Sequence, residues 1–171
     1  MDAGKESEPN PTTVERTSER EMVVRRTFNG PARIVFAAWT TPDLLMRWWA
    51  PKSYGITFIS CEADVRTGGT YRFVFGHSAS DQPMAFFGKY IEVIPNARLV
   101  WTNDEGGDGG SVTTVTFEER GGDTRVVMRD LYPSKEALDD AIASGSTGGF
   151  SETFEQLDEL LVTLGASVGR S

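Results

Sequence analysis

Near the C-terminus, Phe150, Phe154, Leu157, Leu161 and Leu164 recur at spacings of four, three, four and three. Ser151, Glu155, Asp158 and Glu159 occupy the other side. This is the period of an amphipathic helix with one apolar stripe, and such a stripe must be buried against a partner. The preceding chain supplies one. Residues 56–62, 70–77, 85–94, 99–103, 112–118 and 124–131 change to the period of β-strands. Turn-like breaks at 67–69, 80–83, 95–96, 106–110 and 121–122 separate them, too short for parallel crossovers. These six runs predict an antiparallel sheet whose face the terminal helix covers.

The start of the chain completes that sheet. Residues 1–19 are polar, carry Pro9 and Pro11, and are expected to form a flexible tail; residues 166–171 form a second tail. Between them, residues 20–165 make one domain. Residues 21–28 alternate, placing Met22, Val24, Arg26 and Phe28 on one face of a first strand. Asn29-Gly30-Pro31 then opens a helix to about Thr40, with Ile34, Val35, Ala38 and Trp39 at helical spacing. Thr41-Pro42-Asp43 opens a second, ending near Trp48. Ser134 is a capping residue for a helix to about Ala143, and Gly145, Gly148 and Gly149 predict a kink after it. The expected fold is α+β: a curved seven-stranded antiparallel sheet around a long C-terminal helix, with two short helices between strands 1 and 2 plugging one end. One strand resists the pattern. In residues 86–93 neither face is clean, and a bulge near Gly88 would reconcile them.

Ten Phe, four Tyr and four Trp in 171 residues are enough rings either to fill a core or to line a pocket. The net charge of −8 argues against nucleic acid as a partner, since only short basic pairs such as Arg25-Arg26 oppose it. No apolar run approaches the roughly 20 residues of a membrane span. The polar N-terminus predicts no signal peptide, and the single cysteine, Cys61, excludes an internal disulfide; a cytoplasmic setting is the expectation.

Several runs carry a resemblance. They are Arg26-Thr27-Phe28-Asn29-Gly30-Pro31, Trp39-Thr40-Thr41-Pro42, Trp48-Trp49-Ala50-Pro51, Gly68-Gly69-Thr70-Tyr71-Arg72, Gly88-Lys89-Tyr90-Ile91-Glu92, Arg98-Leu99-Val100-Trp101-Thr102 and the terminal Phe154-Glu155-Gln156-Leu157-Asp158-Glu159-Leu160-Leu161. In order and coverage, over about residues 22–164, the chain resembles the activator-of-heat-shock-protein-ATPase-like family of the START-like, or SRPBCC, helix-grip superfamily. The resemblance implies a seven-stranded sheet, two plugging helices and a long helix over an apolar cavity. It transfers no catalytic motif. The superfamily spans hydrophobe carriers, polyketide cyclase-like enzymes and chaperone activators.

A ligand between sheet and helix would meet Trp48, Phe58, Tyr71, Phe73, Phe75, Phe86, Trp101, Phe117, Met128, Phe150 and Phe154. Trp48 and Trp49 read equally as pocket wall or core plug, and Phe150 and Phe154 as core or cavity. Arg26 and His77 are the candidate polar contacts. Arg26, on an apolar face, needs a carboxylate from Glu92, Glu62 or a ligand. His77 is the sole histidine, which excludes a histidine metal cluster, and reads as a strand-end side chain or an acid–base group at the cavity mouth. Cys61 reads as a small buried hydrophobe before a nucleophile. No catalytic residue, metal or cofactor is assigned. The leading expectation is a non-enzymatic binder of a small hydrophobic molecule. One alternative is a polyketide cyclase or hydrolase-like enzyme drawing on His77, Arg26, Tyr71 and Glu92. Another is a chaperone-activator-like interaction module, and homodimer formation through an exposed sheet face stays open.

Overall fold

The computed structural model describes residues 12–50, 55–77, 80–104, 110–143 and 150–164. The expected kink at 145–149, most of the 106–110 turn, residues 1–11 and the tail at 166–171 lie outside them. Twelve elements follow in order: β1 (Thr13–Arg16), β2 (Glu21–Phe28), α1 (Ala32–Thr40), α2 (Pro42–Trp48), β3 (Ile56–Ala63), β4 (Thr70–His77), β5 (Ser80–Ile94), β6 (Arg98–Thr102), β7 (Val112–Arg120), β8 (Asp123–Leu131), α3 (Lys135–Ala143) and α4 (Phe150–Thr163). The strands form one antiparallel sheet in the order β1-β2-β8-β7-β6-β5-β4-β3.

The sheet therefore has eight strands where seven were expected. The added strand, β1, falls inside the segment read as tail, and all four of its residues are exposed. With no residue buried, it carries no apolar alternation for the sequence to reveal. It pairs with β2, Thr13 opposite Arg25 and Arg16 opposite Met22, and Arg16 bridges to Asp139 of α3 at 2.8 Å.

β5 is also longer than expected, since 80–83 continue the strand instead of breaking it. Pro83 is tolerated there because this stretch pairs only with β4; β6 joins from Tyr90 onward. The predicted bulge exists but sits later. The register slips between Tyr90 and Glu92, leaving Phe86 and Tyr90 on the inner face with Trp101 and Val93. Gly88 is glycine for another reason: a Cβ there would lie 1.9 Å from the carbonyl oxygen of Thr102 and 2.9 Å from the Tyr71 ring.

The two short helices are welded at one residue. Thr41 ends α1 by donating its N–H to Ala37 O at 2.9 Å, and its own carbonyl accepts the N–H groups of Leu44 and Leu45 at 2.9 Å to begin α2. Pro42 takes the first position of α2, where its missing N–H costs nothing. The N-terminus of α1 has no side-chain cap of its own; Glu119 of β7 reaches across to accept the Ala32 N–H at 2.8 Å. Ser134 caps α3 as expected, accepting the Ala137 N–H at 3.1 Å. On α4, Phe154, Leu157, Leu160 and Leu161 are buried while Glu155 and Glu159 face water. Each buried apolar side chain contributes about 1.5–3 kcal/mol, ample to seat a fourteen-residue helix on the sheet.

Candidate functional site

Strand periodicity places Tyr71, Phe73 and Phe75 of β4 on the inner face, joined by Trp101 of β6 and by Met84 and Phe86 of β5. These side chains, with Trp49, Ala50, Ile56 and Asn103, enclose a pocket of about 220 Å³. Phe86 and Met84 are partly exposed. A second gap of about 170 Å³ lies beneath α4, lined by Trp39, Trp48, Trp49, Met128, Phe150, Thr153 and Phe154. Trp49 borders both. Between them Trp39, Trp49 and Trp101 close ranks, with ring centroids 5.7 Å (Trp39 to Trp49) and 6.2 Å (Trp49 to Trp101) apart, and leave only about 10 Å³ of free space.

The segment carrying Trp49 is held from above. Gln156 of α4, itself buried, donates through Nε2 to the carbonyls of Trp48 and Ala50, each at 2.9 Å. The terminal helix thus fixes the residue that divides the interior.

Polar groups gather at one end of the larger pocket. Asn103 Nδ2 donates to Ser111 Oγ at 3.0 Å and to Thr113 Oγ1 at 3.1 Å, while Asn103 Oδ1 accepts from the Tyr71 hydroxyl at 3.2 Å. The Tyr71 hydroxyl lies closer still to Thr102 O, at 2.7 Å. Thr113 in turn donates to Asp130 Oδ1 at 2.5 Å. Burial pushes the Asp130 carboxyl up from its ordinary 3.8 to about 6, and the Thr113 hydrogen bond opposes that shift only in part.

The structure distributes the sequence candidates unevenly. Tyr71, Phe73, Phe75, Phe86 and Trp101 line the larger pocket; Trp48, Met128, Phe150 and Phe154 line the smaller. Phe58 and Phe117 line neither. Phe58 packs on Phe75 at 4.5 Å, and Phe117 on Phe36 at 5.3 Å. The two neighbouring tryptophans divide the readings between them. Trp48 is fully buried, donates Nε1 to Ala38 O at 2.9 Å and lines only the smaller gap; half-buried Trp49 lines both. Trp39, Ala50, Ile56, Met84, Asn103 and Thr153 join the linings without having been assigned to them. For Asn103 the signal was present, because it shares parity with Trp101.

The polar candidates lie elsewhere. Arg26 is buried beneath α4, where it pairs with Asp158 and donates to Thr12 Oγ1 at 2.9 Å. The carboxylate is neither Glu92 nor Glu62: Glu92 faces outward and pairs with Arg98 at 2.7 Å. His77 ends β4 opposite Ile56 and Ser80, outside both linings. Arg26, His77, Glu92 and Tyr71 do not converge. Burial, then the charges of Asp43 and Glu62, pushes the Cys61 thiol up to about 11, which disfavours the thiolate a nucleophile needs. Among the described residues there is no group of three or more His, Cys, Asp or Glu able to hold a metal ion, and no helix long and apolar enough to cross a membrane.

Fold and site together define an α+β domain that carries a helix across one face of a large antiparallel sheet and keeps apolar space between the layers. The family described as Activator of Hsp90 ATPase homolog 1-like protein matches residues 29–162, and the chain belongs to that family. Solved structures agree on the fold. A crystal structure of a Rhodobacter sphaeroides protein superposes with a TM-score of 0.81 at 24% identity, covering 90% of this chain and 99% of its own. A Chromobacterium violaceum protein gives 0.66 at 28% identity over 82% and 96%. An AHSA1-like protein of Aeromonas hydrophila gives 0.67 at 18% over 85% and 95%. No curated protein matches the chain.

Proposed function

We propose that this protein binds a small, largely apolar molecule between the sheet and the helices, with no catalytic step of its own. The observation that carries the reading is the 220 Å³ pocket, six of whose ten described lining residues are aromatic. In a domain with the packing density of a molecular crystal, apolar space of this size at an opening in the core is ligand space before it is a packing defect. It is smaller than most drug-sized sites, so the occupant is compact. Enzyme chemistry of the cyclase or hydrolase type would need ionisable groups aimed into the same space, and the four candidates lie apart.

The test is displacement of a solvatochromic naphthalene dye, read alongside native mass spectrometry of the purified protein. Dye should bind with a blue-shifted emission, and Ala50→Trp, which projects an indole into the pocket, should abolish the binding while the thermal transition persists. Dye binding that is indifferent to Ala50→Trp would overturn the assignment of the pocket.

A further inference from the structure

Among the described residues, Trp49 alone lines both the 220 Å³ pocket and the 170 Å³ gap beneath α4. Its ring meets Phe73 and Trp101 of the pocket at centroid distances of 5.9 and 6.2 Å. It meets Trp39 and Trp48 of the gap at 5.7 and 5.3 Å. The space left beside these rings is about 10 Å³, no more than a single water needs. The indole is therefore a partition with apolar space on either side of it.

The backbone of this partition is pinned, and its ring is not. Gln156 Nε2 holds the carbonyls of Trp48 and Ala50, the residues before and after it, so the Trp49 backbone has little room to retreat. Among the described residues no hydrogen bond holds the Trp49 indole N–H, whereas Trp48 Nε1 is tied to Ala38 O. With the main chain fixed and the ring held by apolar contact alone, the size of the side chain decides where the pocket ends. A chain entering past the partly exposed Met84 and Phe86 runs into that ring before it reaches the gap.

We infer that Trp49 sets the length of the molecule this protein accepts, closing the pocket against the gap beneath α4. The ligand class is then an apolar chain or ring of limited length. An apolar cavity of about 150 Å³ holds the six carbons of benzene, so the 220 Å³ here admits about eight. This rests on the pocket reading above, and it adds the residue that limits the pocket and the space that lies unused behind it.

The probes are the straight-chain primary alcohols from butanol to dodecanol, whose hydroxyl stays in water while the chain lengthens inward. Binding is read by displacement of the naphthalene dye. Each methylene that enters apolar space should tighten binding about fourfold. In the native protein that gain should stop near octanol. In Trp49→Ala it should continue, so that dodecanol binds roughly tenfold or more tighter than octanol. Trp49→Ala/Thr153→Phe, which refills the gap beneath α4, should bring the stop back to a shorter chain.

A gain that runs unbroken to dodecanol in the native protein overturns the inference and leaves the pocket reading standing; that measurement needs no variant. A folded Trp49→Ala that stops where the native protein stops overturns it too. So does a double variant that binds dodecanol as tightly as Trp49→Ala, since the added length would then lie outside the gap. Should Trp49→Ala not fold, Trp49→Leu keeps an apolar side chain in place and should move the stop in the same direction, and an unmoved stop counts against the inference. If no alcohol displaces the dye from the native protein, the pocket reading falls and this inference with it.

Discussion

Arg26 of β2 and Asp158 of α4 form an ion pair at the seam between sheet and helix, with the arginine side chain 3% exposed and the carboxylate 28%. Burial raises the Asp158 carboxyl above its ordinary value despite the attraction of Arg26, so desolvation outweighs the Coulombic gain at this site. The pair links the two layers of the domain without being a large source of stability. Its two halves are unequal, because the arginine has no route to water and the aspartate does.

Removing the partners separately should expose that inequality. Asp158→Ala strands a buried guanidinium whose Nε is already unpaired, and is expected to cost about 3 kcal/mol. Arg26→Met leaves a carboxylate that reaches solvent, and should cost less. The double variant Arg26→Met/Asp158→Leu should recover most of the loss. Urea unfolding midpoints of the three variants measure the ordering, and a double variant as unstable as Asp158→Ala would contradict it.

Stability should decline with rising pH across a window set by Asp130. Its folded-state value of about 6 lies above the ordinary 3.8, so between those limits the native state holds the extra proton. The stabilisation is complete below about 4 and lost as pH rises through 6. Asp158 is shifted upward too and contributes in the same sense. Thermal midpoints at half-unit steps from pH 4 to 7 should fall and then level, and Asp130→Asn should flatten much of that slope. A native midpoint that rises steadily over this range would refute the assignment.

Gly88→Ala should fail where Gly121→Ala survives. The first places a methyl group against the backbone of Thr102, which β6 cannot move, and a loss of about 4 kcal/mol or more is expected. The second sits in open space with φ +61, and should cost only about 1 kcal/mol for the left-handed backbone. Soluble yield and urea midpoints compare them.

Gln156→Leu removes both hydrogen bonds to the Trp48–Ala50 segment. One buried and one partly buried carbonyl lose a donor, for an expected cost of about 2 kcal/mol. The more telling readout is the indole emission, which should shift red as Trp49 gains solvent, together with a change in dye affinity. An altered stability with unchanged emission and affinity would separate Gln156 from the positioning of Trp49.

Much of this arrangement was legible in the chain. Six strands between 56 and 131 and the stripe from Phe150 to Leu161 were expected from their apolar periods and form, although β3 and β5 break register and β5 begins earlier than its period indicated. β1 was hidden because an exposed edge strand buries nothing and so writes no pattern. The early start of β5 was hidden by Pro83, whose meaning depends on how many neighbours the strand has. At the site, parity sufficed for Tyr71, Phe73, Phe75 and Trp101. It could not distinguish Trp48 from Trp49, since which of two adjacent rings fills a core and which walls a pocket is decided by the angle between layers. Nor could it find Asp158 as the partner of Arg26, 132 positions away across that seam.

The junction at Thr41 limits how this domain can vary in length. One residue serves as the C-cap of α1 and the N-cap of α2, so there is no slack in which an inserted residue could be absorbed. A single insertion there would break one of the two sets of hydrogen bonds that Thr41 makes and carry α2 away from α1. Trp48 would swing off Ala38 O, and Trp49 would leave the space between the two gaps. The β-turns of the sheet can lengthen by several residues and leave the interior untouched; this corner tolerates none.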